Sequence, residues 1–164
     1  MIEIIKTDKK VLDPSCGSKM FWFNKNNPDT IYGDIRSESH ILCDGRTLNI
    51  NPDVLMDFRQ MPFQDNQFAL IVFDPPHLKN LGHNSWMAKK YGILNSTWEK
   101  DIKLGFDECW RVLKNEGTLI FKWNENQIPK KKILEVIGKQ PLFGHTSGRH
   151  EKTIWMTFFK NINN

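Results

Sequence analysis

An unbroken apolar run, Phe68 to Phe73, ends abruptly in Asp74-Pro75-Pro76 and constrains the fold more than any other segment. A strand that is apolar at every position is buried on both faces, which is typical of the centre of a parallel sheet. Neither proline can donate a hydrogen bond to a neighbouring strand, so the strand must end here. The run therefore predicts a central parallel strand with a carboxylate at its carboxyl end.

Shorter strand-like runs alternate with helical or loop stretches along the rest of the chain, which indicates an α/β sheet. Strands are predicted at residues 10–13, 30–33, 54–56, 118–123, 141–145 and 153–160. Helices are predicted at residues 19–25, 96–114 and 129–137. The return between the last two strands is short, so they should pair antiparallel. We expect one domain over residues 1–164, because this length leaves little room for a second.

Several local signals set the expected ends of these elements. Ser96 and Glu99 have the spacing of a capping box at the start of the long helix. Gly117 is suited to a left-handed exit from that helix, and Gly138 closes the next one. Between residues 36 and 50 the Asp-Gly turn within Cys43–Arg46 predicts a β-hairpin.

The composition is that of an ordinary globular protein, with 39% hydrophobic and 26% charged residues and a net charge of +4. This mildly basic balance permits nucleic-acid binding without demanding it. Cys16, Cys43 and Cys109 are too few and too far apart for a disulfide framework or a zinc motif. With no leader-like start and no membrane-length apolar run, the sequence predicts a cytoplasmic protein that does not enter membranes.

Three more acidic residues, Asp13, Asp34 and Asp57, also follow predicted strands. Ligands of open α/β sheets bind at the carboxyl ends of the strands, so these carboxylates are expected around one site. Pro14-Ser15-Cys16-Gly17 forms a turn that would bring bare backbone close to a ligand. Taken singly, each signal is equally typical of an ordinary turn or a solvated loop.

Asp74-Pro75-Pro76-His77 carries more specific chemistry. An exocyclic amine on a nucleobase is a poor nucleophile, because its lone pair is delocalised into the ring. The carboxylate of Asp74 and the carbonyl oxygen of Pro75 can accept its two N–H groups and localise that lone pair. The nitrogen becomes cationic as it attacks, so the Asp74 carboxylate also stabilises the transition state. The alternative interpretation is a Pro-Pro strand terminator without function.

These features resemble, in order and spacing, the class I S-adenosylmethionine-dependent methyltransferases over roughly residues 10 to 160. Asp74-Pro75-Pro76-His77 is similar to the Asp/Asn/Ser-Pro-Pro-aromatic motif of members that methylate adenine N6 or cytosine N4. The run from Glu108 to Leu119 resembles the helix, glycine turn and fifth strand of the superfamily. The resemblance implies a Rossmann-like fold, mostly parallel with an antiparallel final strand, and S-adenosyl-L-methionine as cofactor without a metal.

The resemblance also implies roles for individual residues. The methionine end of the cofactor would lie over a turn formed by Asp13, Pro14, Ser15, Cys16 and Gly17. Asp13 would accept from the ammonium group of that end, directly or through water. Asp34 would accept from the ribose hydroxyls, and Asp57 from the adenine amino group, with Phe58 or Met56 against the ring. Asp74, Pro75, Pro76 and His77 would present the acceptor amine.

The sequence departs from the family pattern at two positions and in one larger feature. Lys19 stands where the glycine-rich loop usually has another glycine, and His77 replaces the usual Tyr, Phe or Trp. No target-recognition domain is recognisable, so reading a duplex sequence would need loops, a homodimer or a partner. Lys79 to Tyr91 interleaves basic and aromatic residues, including His83. It predicts either a lid or strand-binding loop, or a solvated loop anchored by Trp86.

The sequence therefore predicts a methyltransferase whose preferred acceptor is adenine N6 in DNA or RNA, flipped out or single-stranded. Two alternatives stay open. The acceptor could be a protein amide or a small-molecule amine, since Asn-Pro-Pro-Tyr also serves glutamine methylation. The chain could also be a cofactor-binding module without turnover, because a fold alone does not give function.

Overall fold

The helices and strands are defined by a computed structural model that describes residues 3–79 and 85–161. Its strands are β1 (Val11–Asp13), β2 (Thr30–Asp34), β3 (Glu38–Ile41), β4 (Thr47–Ile50), β5 (Val54–Leu55), β6 (Phe68–Phe73), β7 (Leu113–Asn124), β8 (Phe143–Ser147) and β9 (Thr153–Phe159). Its helices are α1 (Trp86–Tyr91), α2 (Trp98–Val112) and α3 (Lys130–Ile137), with a 3-10 turn at Arg149–Glu151.

The main sheet of the described chain has the strand order β5-β2-β1-β6-β7-β9-β8. Strands β5, β2, β1, β6 and β7 pair in parallel. The last strand, β9, lies between β7 and β8 and is antiparallel to both. This confirms the predicted Rossmann-like fold. The apolar strand β6 is central, as its sequence predicts, and carries Asp74 to the carboxyl edge of the sheet.

Helices α2 and α3 cover one face of the sheet and close the core. Ile102, Phe106 and Cys109 of α2 are fully buried against sheet residues that include Phe73 and Phe121. Burying an aromatic or aliphatic side chain of this size contributes roughly 1.5–3 kcal/mol, so this layer fixes the strand ends that carry the site.

The two hairpins and the second helix end agree with the predictions. Strands β3 and β4 pair antiparallel around the Asp-Gly turn, as β8 and β9 do near the end of the chain. Gly138 ends α3 as predicted: it has a left-handed φ of 71°, and its N–H donates to the carbonyl of Leu134.

The predicted helix at residues 19–25 is wrong, because this segment forms a series of turns. Lys19 has a left-handed φ of 56°, which interrupts any helix starting there. The Trp22 indole N–H donates to the Asp13 carboxylate over 2.8 Å and pulls the segment back towards β1. A tertiary hydrogen bond therefore overrides the local helical pattern.

The predicted ends of the long helix are also wrong. The helix begins at Trp98 after the N-cap Thr97, without a side-chain cap, so the Ser96–Glu99 capping box does not form. Asn95 instead accepts from the Thr97 amide and hydroxyl. At the other end α2 passes directly into β7, and the left-handed residue is Glu116, with a φ of 61°. Gly117 lies within β7, where a Cβ would come within 2.8 Å of the Lys114 carbonyl oxygen.

Residues 3–79 and 85–161 lack two kinds of structural feature. None of the helices there is long and apolar enough to cross a membrane. In the same ranges, no group of three or more His, Cys, Asp or Glu side chains is arranged to hold a metal ion.

Candidate active site

A pocket opens at the carboxyl edge of the sheet, where β1, β2 and β6 end. Ten of the twelve residues that the sequence predicts for the site line it: Pro14, Ser15, Cys16, Gly17, Asp34, Phe58, Asp74, Pro75, Pro76 and His77. Asp13 and Asp57 are the two that do not. The pocket is also lined by residues without a predicted cofactor role, among them Met20, Phe21, Ile35, Arg36, Lys90 and Tyr91.

The turn after β1 exposes backbone to the pocket, as the sequence predicts. Gly17 has a φ of 49°, a conformation that favours glycine. Its N–H donates to Oδ2 of Asp34 over 2.9 Å, which joins the turn to the end of β2. The backbone N–H of Asp74 donates to the Ser15 hydroxyl over 3.3 Å. The turn thus connects the ends of β1, β2 and β6 into one continuous wall.

Asp13 lies beneath this wall, completely buried. Its carboxyl group accepts from the Trp22 indole and from the Ser15 amide. Burial raises the pKa of Asp13 to about 7, these two hydrogen bonds oppose the rise, and the nearby carboxylates of Asp74 and Asp34 add to it. The structure therefore gives Asp13 a supporting position under the turn, with no direct access to the pocket.

Replacing Asp13 with Asn should remove a pH dependence of folding stability. The folded state holds a proton on Asp13 between the normal pKa of 3.8 and about 7, where the unfolded chain releases it. The parent protein therefore loses stability as the pH rises through this window, at up to about 1.4 kcal/mol per unit from this group. Urea unfolding of both proteins from about pH 5 to about pH 8 measures the difference. The free energy of unfolding of the Asn variant, minus that of the parent, should increase with pH and level off above about pH 7. A difference that stays constant with pH would contradict the raised pKa of Asp13.

Asp34 connects the pocket to helix α1. Its Oδ1 accepts from the Arg36 amide over 2.9 Å and from Arg36 Nε over 3.3 Å. The same guanidinium donates from Nη1 to the carbonyl of Lys89 over 2.7 Å. Lys90 and Tyr91, next along α1, line the pocket. Arg36 therefore holds the helix beside the end of β2, and Arg36 was not singled out from the sequence.

The side chains of the adjacent residues Asp57 and Phe58 lie in different surroundings. The Asp57 carboxylate is held by the Arg59 guanidinium, which also bonds Asp101 of α2 over 2.9 Å. The hydrogen bond from Arg59 lowers the pKa of Asp57 despite its partial burial. Phe58 turns the other way into the pocket and packs edge-on against Phe73, with ring centroids 5.3 Å apart.

Asp74 is paired with a lysine that the sequence reasoning missed. Lys122 Nζ donates to Oδ2 of Asp74 over 2.5 Å, and the two side chains are only 16% and 15% exposed. Phe21 and Trp155 flank the ammonium group, with ring centroids 5.3 and 5.5 Å from Nζ. A signal was present in the sequence, because Lys122 is the one charged residue in the apolar run from Leu119 to Trp123.

His77 is 9% exposed and contacts two aromatic rings. Its ring centroid lies 5.6 Å from that of Tyr91 and 6.3 Å from that of Trp123. Burial lowers the pKa of His77 and outweighs the opposing effect of Asp74. The imidazole is therefore neutral at physiological pH and presents a flat, uncharged surface beside the carboxylate.

A second cavity meets the first across this motif. Both are lined by Asp74, His77 and Tyr91. Apolar side chains of Leu78 and Met87 and polar side chains that include Lys122, Asn124 and Asn126 complete the second cavity. Two ligands, one in each cavity, would therefore meet at Asp74. The predicted loop contributes Met87 and Tyr91 here, while His83 lies outside the residues that the structure describes.

Comparisons with known proteins identify the fold. No protein-family model matches the sequence, and no curated protein matches it either. Solved structures do match. A TehB-like SAM-dependent methyltransferase from Corynebacterium glutamicum aligns over 96% of this chain and 82% of its own, with a TM-score of 0.57 and 15% identity.

Two further structures are similar over nearly all of this chain. The N-methyltransferase NodS from Bradyrhizobium japonicum aligns over 93% of this chain and 86% of its own, with a TM-score of 0.52 and 12% identity. The 1,6-didemethyltoxoflavin-N1-methyltransferase from Burkholderia thailandensis, with bound 1,6-didemethyltoxoflavin and S-adenosylhomocysteine, aligns over 92% and 70%, with a TM-score of 0.50 and 12% identity. Together with the strand order, these likenesses show that the chain has the fold of the S-adenosylmethionine-dependent methyltransferases.

Proposed function

We propose that the protein is a methyltransferase that uses S-adenosyl-L-methionine and methylates an exocyclic amine of a nucleobase, with adenine N6 favoured. The observation that carries the proposal is the meeting of two cavities at Asp74, His77 and Tyr91. One cavity has the lining expected for the cofactor, and the other would hold the acceptor. The fold supports this, since similar structures are methyltransferases and one holds S-adenosylhomocysteine.

The chain's residues fit the cofactor along the first pocket. The backbone of Ser15 to Gly17 would contact the methionine end, and the carboxylate of Asp34 would accept from the ribose. Phe58 and Ile35 would pack against the adenine ring, since both line the pocket beyond Asp34. Asp57 would act indirectly, because its ion pair with Arg59 fixes the backbone that precedes Phe58. When bound, the cofactor would supply a methyl group activated by a sulfonium.

Replacing Gly105 with Ala tests the place of Phe58. A Cβ at Gly105 would lie 2.5 Å from Cδ2 of Phe58, so the phenyl ring must move towards the pocket. We expect cofactor affinity to fall about fivefold or more, while the free energy of unfolding falls by about 2 kcal/mol or less. The strain of roughly 1–3 kcal/mol is partly offset by the roughly 1 kcal/mol that Ala gains over Gly in a helix.

Titration calorimetry with S-adenosylhomocysteine measures the Gly105 effect. Lys100→Ala, on the exposed side of the same helix, is the matched control and should bind like the parent. If Gly105→Ala also binds like the parent, Phe58 does not form part of the cofactor site.

The chemistry proposed at the second cavity depends on the positive charge that develops on the acceptor nitrogen. As the amine nitrogen bonds to the methyl carbon and the carbon–sulfur bond breaks, positive charge moves to the nitrogen. The Asp74 carboxylate and the Pro75 carbonyl oxygen are acceptors for its N–H groups and stabilise that charge. A neutral His77 adds no opposing charge and offers a stacking face for a base. The excess proton leaves the product nitrogen to water once the product departs.

A small-molecule amine is the second proposed acceptor, and Lys122 is the observation that favours it. Its ammonium group lines the acceptor cavity next to Asp74. A fixed cation there suits an acceptor that carries an anionic or carbonyl oxygen near its amine. The similar structure with bound 1,6-didemethyltoxoflavin is of an N-methyltransferase acting on a small molecule of that name.

Transfer of a tritiated methyl group separates these acceptors. The protein is incubated with labelled cofactor and, separately, with single-stranded DNA, RNA, a protein extract and a small-molecule extract. After digestion, labelled N6-methyladenine supports the proposal. Label in cytosine would keep a nucleobase amine as the acceptor but replace adenine with cytosine. Label confined to small molecules establishes the second acceptor instead. Cofactor binding without label in any fraction would show a module without turnover and overturn both.

A further inference from the structure

A groove adjoins the proposed cofactor pocket and shares no lining residue with the proposed acceptor cavity. It is formed by the turns after β1, by the hairpin of β3 and β4, and by the end of α1. The groove and the pocket share four lining residues, Gly17, Ser18, Met20 and Lys90. A ligand that fills the groove would therefore extend to the rim of the proposed cofactor site.

The groove is strongly basic. Lys19, Lys25, Arg46 and Lys90 line it, and no acidic residue is among the described residues that do. Three amide side chains add donors and acceptors: that of Asn26 in the turns before β2, and those of Asn49 and Asn51 at the end of the hairpin. The summed charge of these four cations favours the approach of a polyanion.

The hairpin cation remains accessible although it has an ion-pair partner. Arg46 bonds Asp44 at the turn of the hairpin through Nε and Nη2. Its side chain is nevertheless 75% exposed. A guanidinium has five N–H donors, so it can bond a phosphate oxygen while keeping this pair.

Exposed apolar side chains lie on the segment from Met20 to Lys25, whose two end residues line the same groove. Phe23, between the lining residues Met20 and Lys25, is fully exposed, and Met20 is 45% exposed. An aromatic ring that stays in water buries no apolar surface when its own chain folds, so it does not stabilise the fold. Basic residues interleaved with an exposed ring are the arrangement that binds single-stranded nucleic acid, because every base can stack on the ring.

We propose that this groove binds the sugar-phosphate backbone of a single-stranded nucleic acid while one of its bases enters the acceptor cavity. Phosphates would contact Lys25 and Arg46, and an unpaired base would stack on Phe23. The inference rests on the proposed nucleobase acceptor and adds the surface that holds the rest of the strand. It needs no separate recognition domain.

The test compares two doubly charge-reversed proteins in binding a fluorescent single-stranded oligonucleotide of mixed sequence. Lys25→Glu with Arg46→Glu alters the groove. Lys100→Glu with Lys131→Glu makes the same change of charge at exposed positions on α2 and α3, outside the groove. Fluorescence anisotropy over a range of salt gives the affinity and its salt dependence.

We expect the groove variant to bind at least tenfold more weakly and its salt slope to fall by about 1.4, since two phosphate contacts are lost and each contributes about 0.7 on a single strand. The control pair should stay within about threefold of the parent. Phe23→Ala should weaken binding about fivefold or more. Equal weakening in the two charge-reversed proteins would show that net charge alone sets the affinity, which would overturn the inference. A parent protein that binds no oligonucleotide, or that binds an acidic peptide more tightly, would also overturn it.

Failure of the groove and failure of the proposed function are distinguishable. If nucleic acid becomes methylated while the groove variant binds oligonucleotide like the parent, only the groove assignment is wrong. If the groove variant loses binding but no base is ever methylated, the groove stands and the acceptor is wrong. Unchanged S-adenosylhomocysteine binding by the charge-reversed proteins shows that they are folded.

Discussion

Replacing Asp74 with Ala should reduce methyl transfer by about 10²–10³-fold or more, while cofactor affinity stays within a few-fold of the parent. The carboxylate lies where the two cavities meet, so its charge acts on the nitrogen that becomes cationic during transfer. The cofactor's methionine end would instead contact the turn after β1. Labelled-methyl transfer with the best acceptor and calorimetry with S-adenosylhomocysteine measure the two effects separately.

Asp74→Asn separates charge from hydrogen bonding at this position. The amide keeps an acceptor oxygen for one N–H group of the amine but loses the negative charge. We therefore expect a rate between those of the parent and the Ala variant. Full activity of Asp74→Ala in a folded protein would remove Asp74 from the site. A loss of cofactor binding equal to the loss of rate would show that its role lies in the cofactor pocket.

Much of the fold follows from the sequence, because several strands and turns are encoded by short local patterns. The run of apolar residues in β6 can be buried on both faces only at the centre of a parallel sheet, and the two prolines that follow end the strand. The Asp-Gly turn of the β3–β4 hairpin and the glycine after α3 encode their conformations within a few residues. Such features need no knowledge of distant partners, and the structure confirms each of them.

The errors fall where a distant contact decides the local structure. Residues 19–25 have a helical pattern, but the hydrogen bond from Trp22 to buried Asp13 holds them as turns. Asn95 caps the turn before α2 in place of the expected Ser96. The positions of Asp13 beneath the pocket and of Asp57 on Arg59 likewise depend on partners that spacing does not reveal.

The same reason explains why Lys122 was missed. A charged residue within an apolar strand was visible, but its partner lies 48 positions away, and only the pairing of β6 with β7 brings them together. The sequence places Asp74 at the edge of the sheet. The structure adds a cation and two aromatic rings around it, which makes the acceptor site more polar than the motif alone suggests.

Replacing Lys122 with Met should destabilise the protein by about 3 kcal/mol, because it leaves the Asp74 carboxylate largely buried without its cation. Combining Lys122→Met with Asp74→Asn should recover most of that loss, since no unpaired charge then remains. Urea unfolding of the parent, the two single variants and the double variant completes a thermodynamic cycle. The coupling between the two sites should exceed about 1 kcal/mol.

Lys103→Met provides the matched control for that cycle. Lys103 bonds Asp107 one turn along α2 over 2.6 Å, but its side chain and that of Asp107 are 45% and 50% exposed. An exposed pair of this spacing contributes about 0.3–0.5 kcal/mol. A large cost at Lys122 and a small one at Lys103 would show that burial, rather than the mere presence of an ion pair, sets the energy. Equal small costs would mean that water reaches Asp74 freely, and a carboxylate so exposed to water could stabilise a cationic transition state only weakly.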